Sequence, residues 1–191
     1  MAASTQSSRP MIKATPTALA GVLILEPRVF TDSRGFFLES YSERVMREAG
    51  IHEQFVQDNH SCSVRNVVRG LHYQICHAQG RLIRVVAGEI FDVAVDLRRN
   101  SPTFGRWTGL KLSGENFKML WIPPGFAHGF SVLSDTAHVL YKATDFYYPD
   151  CERTLAWNDA DLKIDWQLTG DPIVSIKDSQ GVPFRNLAEP L

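Results

Sequence analysis

The chain of 191 residues has no His-x-His pair, and its two closest histidines, His72 and His77, are five positions apart. On a strand, an odd spacing puts two side chains on opposite faces, so this pair makes no metal centre and no metal site is expected. Neither Gly-x-Gly-x-x-Gly nor Gly-x-x-x-x-Gly-Lys-Ser/Thr occurs, which removes the strand-to-helix cradles for phosphate; any nucleotide must be held by side chains. Cysteine is scarce. Cys62, Cys76 and Cys151 are odd in number and at no metal-ligand spacing, so they are expected to be free buried thiols in a reducing compartment. There is no excess of charge, with 20 Lys and Arg against 21 Asp and Glu, and hence no basic surface for a nucleic-acid partner. A small anion needs only a few arginines. Long apolar runs are absent too: Ala18 to Leu25 ends in Glu26-Pro27-Arg28 without a small-residue cleavage site and is too short to span a bilayer. It reads as a first β-strand, and the expected setting is cytoplasmic, without a membrane partner.

What is present suits one domain, since 44% of the residues are hydrophobic and the length supports one sizeable core. Residues Met1 to Pro16, rich in Ser, Thr, Ala and Pro, read as a flexible leader, and residues 17–191 as the single domain. Ser40-Tyr41-Ser42-Glu43 has the pattern of a capping box, with Val45 and Met46 ahead of Gly50, which predicts one short helix. Beyond it the period is two. In Ile90 to Leu97, Phe91, Val93, Val95 and Leu97 share one face and Asp92 and Asp96 the other, the pattern of a half-buried strand. Turn chemistry recurs at Gly88, Asn100-Ser101-Pro102, Ser113-Gly114, Pro123-Pro124-Gly125 and Ser134-Asp135. Such spacing predicts an all-β antiparallel sandwich or barrel, and a jelly roll closes its edges while leaving a mouth for a ligand.

Three titratable side chains stand out on these strands. His72 points with Gly70 and Gln74, among Arg69, Gln57 and Asn59; for His72 and Arg69 to reach one pocket, Gly70 must mark a bulge. His128 follows a Pro-Pro-Gly turn between Ala127 and Gly129, whose small size leaves room beside the imidazole. Tyr141 shares an apolar face with Val139 and Ala143 while Lys142 faces away, and a buried phenol needs a partner. Histidines and a phenol converging without a nucleophile or metal motif point to proton transfer. Taken singly, His128 and Tyr141 also fit ordinary hydrogen-bonded core positions.

Several motifs follow one another along the chain: Phe30-Thr31-Asp32-Ser33-Arg34-Gly35-Phe36-Phe37, Arg69-Gly70-Leu71-His72-Tyr73-Gln74, Asp92-Val93-Ala94-Val95-Asp96-Leu97-Arg98, Ser101-Pro102-Thr103-Phe104-Gly105, Ile122-Pro123-Pro124-Gly125-Phe126-Ala127-His128-Gly129-Phe130 and Trp157-Asn158-Asp159. Together they resemble the dTDP-4-dehydrorhamnose 3,5-epimerase family. The resemblance runs from about Pro27 to Gln180. It implies a cupin-type jelly roll and a cofactor-free homodimer. The implied substrate is a dTDP-linked 4-keto-6-deoxyhexose, inverted at C3 and C5 to give dTDP-4-dehydro-L-rhamnose for dTDP-L-rhamnose biosynthesis.

By position, the resemblance makes His72 the base, Asp178 its dyad partner, Tyr141 the proton donor and Arg81 the cation at the sugar O4. Substrate contacts fall on Arg34, Glu39, Gln57, Asn59, Arg69, His128, Glu152 and Lys177, with Tyr147 stacking on thymine. Arg34 is expected to cross the dimer interface. Where the family usually has lysine after Gln-Gly, this chain has Arg81, a planar fork in place of a point charge. The competing readings are an epimerase acting at C3 or C5 alone, a silent sugar-nucleotide-binding jelly roll, and a metal-dependent cupin enzyme. The second predicts loss of His72, Tyr141 or Asp178, and all three are present.

Overall fold

The computed structural model describes residues 10–187. Its strands, in chain order, are β1 (Ile12–Pro16), β2 (Leu23–Pro27), β3 (Val29–Asp32), β4 (Gly35–Leu38), β5 (Gln57–Val64), β6 (Val68–Gln74), β7 (Arg81–Ala87), β8 (Glu89–Asp96), β9 (Trp107–Ser113), β10 (Met119–Ile122), β11 (Phe126–Val132), β12 (Thr136–Ala143) and β13 (Glu152–Thr154). Two short helices accompany them, α1 (Glu43–Glu48) and α2 (Ile176–Ser179). One sheet has the order β1-β2-β10-β7-β12-β5 and the other β13-β6-β11-β8-β9, while β3 and β4 form a separate hairpin. The paired strands run antiparallel, as the turn spacing predicts, and the two sheets make a jelly roll.

Alternation explains where the core sits. Ile83 and Val85 of β7, Val139 of β12, Ile90 and Ala94 of β8 and Val132 of β11 all face the space between the sheets and are 0–2% exposed. Each such Val or Ile side chain contributes about 1.5–3 kcal/mol on burial. Farther along the same strands the inward positions turn polar: Arg81, Tyr141 and His128 continue those rows, and His72 faces them from β6. The sandwich is therefore apolar at one end and chemical at the other.

Four expectations need correction. β8 is not half-buried, because its Phe91, Val93 and Val95 face is covered by Leu155, Leu162 and Trp166 from the segment after β13, while Asp92 and Asp96 point into the protein and are fully buried. Part of the expected leader is ordered: β1 pairs residue for residue with β2, and its Ile12 packs against Leu25, Val45 and Met46. Residues 1–9 of that leader lie outside the described residues. The helix forms where predicted and buries Val45 and Met46, but its N-cap is Ser42 and makes no side-chain cap, so the Ser40–Glu43 box is not used. Finally, Cys76 and Cys151 are joined in a disulfide across 75 residues, and Cys62 is free but exposed. Pairing at such a separation depends on the fold rather than on spacing, because β13 runs beside β6 and brings the two chain segments together.

Candidate active site

The cavity at the polar end has a volume of about 340 Å³. Its walls include Gln57 and Asn59 of β5, Arg69 and His72 of β6, Arg81 of β7, His128 of β11, Tyr141 of β12, Tyr147 from the loop before β13, and Glu152 of β13. Nine of the residues singled out in the sequence thus meet in one place. The bulge at Gly70 is what admits both Arg69 and His72: the β6–β11 register pairs His72 with His128 but Arg69 with Phe130, a slip of one residue. Gly70 has φ +115°, and a Cβ there would stand 2.7 Å from the Gly129 Cα and the His128 carbonyl oxygen. Only glycine fits.

His72 Nε2 lies 2.5 Å from Asp178 Oδ1, 106 residues away in the chain. Asp178 is delivered by α2, where its backbone N–H donates to Ser175 Oγ at 3.0 Å. Burial alone would push the Asp178 carboxyl up, but the His72 bond and charge, the Gly70 N–H and Ser175 outweigh it and hold it below the usual range. An ionised carboxylate only accepts, so the Nε2 carries the hydrogen, and in the neutral form of the ring Nδ1 is the nitrogen that holds the lone pair.

On the opposite wall, the Arg81 guanidinium carbon is 6.0 Å from the centre of the Tyr141 ring. Its Nη1 donates to the His72 carbonyl oxygen at 3.2 Å and its Nη2 to Gln79 Oε1 at 3.2 Å, while the buried Nε has no partner among the described residues. Burial pushes the Arg81 pKa down, countered by Tyr141, Glu152 and Asp92. Among the described residues no carboxylate bonds this guanidinium, so its charge remains available to the cavity. His128 Nε2 sits 2.9 and 3.1 Å from the two oxygens of Asp92, directly behind it. Burial pushes Asp92 up, against the pull of His128 and Arg81.

Tyr147 and Glu152 form the outer rim. The Tyr147 hydroxyl donates to Glu152 at 2.7 Å, and Lys177 Nζ also binds Glu152. Burial raises the Glu152 carboxyl, but the Lys177 and Tyr147 bonds prevail and hold it low. The Tyr147 ring is half exposed. Lys177 and Asp178 enter from a neighbouring recess rather than from the cavity wall itself. Arg34 and Glu39 stand apart: Arg34 is exposed at the tip of the β3–β4 hairpin and paired with Asp32, and neither residue reaches the cavity of its own chain.

Sequence reasoning missed Asp92 as the partner of His128, and Ser61, Gln79 and Phe130 as wall residues. Asp92 was visible as an acid in the middle of a strand, flanked by Ile90, Phe91, Val93, Ala94 and Val95; only the assumption of a solvated face hid it. Among the described residues no group of three or more His, Cys, Asp or Glu is placed to hold a metal ion, and no helix is long and apolar enough to cross a membrane.

Comparison with known proteins agrees with this geometry. Residues 16–186 match the family model described as dTDP-4-dehydrorhamnose 3,5-epimerase. A relative of that name from Pseudomonas aeruginosa is 60% identical over 174 residues, covering 91% of this chain and 96% of its own. A crystal structure of the dTDP-6-deoxy-D-glucose-3,5-epimerase of Legionella pneumophila with dTDP-4-keto-L-rhamnose superposes with a TM-score of 0.89 at 47% identity, covering 92% of this chain and 94% of that one. A 3'-monoepimerase from Streptomyces bikiniensis, in complex with dTDP-quinovose, is similar at 30% identity, with a TM-score of 0.83 and coverage of 88% and 86%. The fold, the paired imidazoles across from a phenol and these matches together make the chain an isomerase that belongs to the dTDP-4-dehydrorhamnose 3,5-epimerase family.

Proposed function

We propose that His72, Asp178, Tyr141 and Arg81 carry out the double epimerisation of the family in this protein, turning dTDP-4-dehydro-6-deoxy-D-glucose into dTDP-4-dehydro-L-rhamnose without metal or cofactor. The observation that carries this reading is the His72–Asp178 pair facing Arg81 and Tyr141 across one cavity. Protons on C3 and C5 flank the C4 ketone, so removal of either gives an enolate whose charge collects on O4. His72 takes the proton on its free ring nitrogen, and Asp178 stabilises the imidazolium as the aspartate of a serine-protease triad does. Arg81, with His128 beside it, meets the charge on O4; a comparable donor is worth about 2.7–4 kcal/mol in the transition state. Tyr141 then returns a proton to the opposite face of the carbon, and solvent carries the balancing proton from imidazolium to phenolate. Positioned acids and bases of this kind each contribute on the order of 10² to 10⁴-fold.

Arg69 and Lys177 supply cations for the diphosphate, Gln57 and Asn59 polar contacts to the sugar, and Tyr147 a face for the thymine, with Glu152 fixing its ring. Arg34 and Glu39 serve the cavity of a second copy. The hairpin that carries Arg34 exposes Phe30, Phe36 and Phe37 by 41%, 57% and 69%, an apolar surface that a homodimer would cover. The expected home is the cytoplasm, where nucleotide sugars are made; with Cys76 and Cys151 paired, this no longer leans on free thiols.

The test is incubation with the substrate in deuterated water, following the C3 and C5 protons by NMR. Exchange and inversion at both carbons are expected; loss at only one would make the protein a single-centre epimerase like its Streptomyces relative. Tyr141→Phe should still exchange protons but invert poorly, and unimpaired inversion would remove Tyr141 from its role.

A further inference from the structure

Gln79 lies on the cavity wall, yet its amide is directed at the protein. Its Oε1 accepts from Arg81 Nη2 at 3.2 Å, and its Nε2 donates to the Asp145 carbonyl oxygen at 2.8 Å. Gly80 is tied to the same loop twice: its N–H donates to Thr144 Oγ1 at 2.7 Å, and its carbonyl accepts the Thr144 N–H at 3.0 Å. The next residues of that loop carry Tyr147, whose N–H donates to Gln57 Oε1 at 3.1 Å. One amide thus joins the guanidinium to the loop at the cavity rim.

A guanidinium differs from an ammonium in having a plane, and only some orientations of that plane aim N–H groups at a given point. Arg81 has two N–H groups fixed, on the His72 carbonyl and on Gln79. Two acceptors on different nitrogens define the plane. Both are neutral, so they orient the group without cancelling its charge, whereas a carboxylate in the place of Gln79 would orient it equally well and neutralise it. We propose that Gln79 is a positioning residue for the reaction, holding the Arg81 guanidinium in the plane that serves O4 while leaving its charge unspent. This rests on the reading of Arg81 as the cation at O4.

Five variants of the whole chain test it, each followed by steady-state turnover of dTDP-4-dehydro-6-deoxy-D-glucose, by C3 and C5 proton exchange, and by thermal denaturation. Gln79→Ala should lower kcat on the order of 10-fold, and Gln79→Glu on the order of 100-fold, with KM within about twofold and Tm little changed. In an Arg81→Lys background, where the ammonium has no plane to hold, Gln79→Ala should change kcat by less than about twofold. Equal losses in the two backgrounds, a rise in KM with kcat intact, or losses that track a fall in Tm would overturn the role of Gln79. Arg81→Ala separates the two levels. If it leaves kcat unchanged, the O4 reading itself fails; if it lowers kcat while both Gln79 variants turn over normally, only the positioning role fails.

Discussion

Asp92 and Asp96 stand four residues apart on one face of β8, both fully buried, and their surroundings give them opposite characters. Asp96 is saturated with donors: the Arg98 side chain at 2.8 and 2.9 Å, the Arg98 N–H at 3.0 Å, and the Ser101 and Thr103 hydroxyls at 2.6 Å each. Burial would raise its pKa, but these bonds hold it far below the ordinary carboxylate range. Asp92 has His128 and the more distant charge of Arg81, and there burial wins and pushes the carboxyl up. One aspartate locks the turn after β8 in place. The other is left under-supplied beside the cavity, where its affinity for a proton responds to whatever charge enters.

The sharpest way to break this contrast is to neutralise each acid in turn. Asp92→Asn keeps an acceptor for His128 but removes its counter-charge, and kcat should fall about 100-fold with Tm unchanged or raised. Asp96→Asn should do the reverse. It leaves Arg98 and two hydroxyls facing a neutral amide, costing about 3 kcal/mol in denaturant unfolding while the folded enzyme turns over within about twofold of normal.

Acid titration of stability should sharpen the contrast further, because the signs differ. Asp96 has a lowered folded pKa, so its stabilisation is complete above the unfolded value near 3.9 and is lost as pH falls below it. The gap between wild type and Asp96→Asn should therefore close on acidification. Asp92 has a raised folded pKa, so its contribution is greatest at low pH and is lost as pH rises from about 3.9 through the folded value. Asp92→Asn should gain on the wild type over that rise; an unchanging difference across it would mean that Asp92 is not strained by burial. The smallest effect sets the baseline: Glu26, in an exposed pair with Lys13 at 3.0 Å, should cost less than about 0.5 kcal/mol when changed to Gln.

How far these roles could be read in advance follows from what periodicity records. Alternation along β6, β11 and β12 told which side chains point inward, so His72, His128 and Tyr141 were legible as a group, and the glycine before Leu71 announced its bulge. Alternation does not tell what covers the other face. The chain from Leu155 to Trp166 has little regular structure of its own, yet it buries the Phe91, Val93 and Val95 row, which is why Asp92 looked like a solvent-facing acid. The Cys76–Cys151 link and the β1–β2 pair depend on which segments become neighbours, and no local signal encodes that. Arg81 and Asp178 were recognisable only through the family motif; nothing in Ser175-Ile176-Lys177-Asp178 itself speaks of a partner 106 positions earlier.

That distance also has a consequence for the newborn chain. A ribosome that has finished every strand of the two sheets has made His72, Arg81 and Tyr141 but not yet the acid that orients the imidazole, and the outer face of β8 still awaits its cover. On the proposed roles, a nucleotide sugar meeting such a chain would find a base without its acid. Residues 155–178 thus bring both the cover of β8 and the partner of His72.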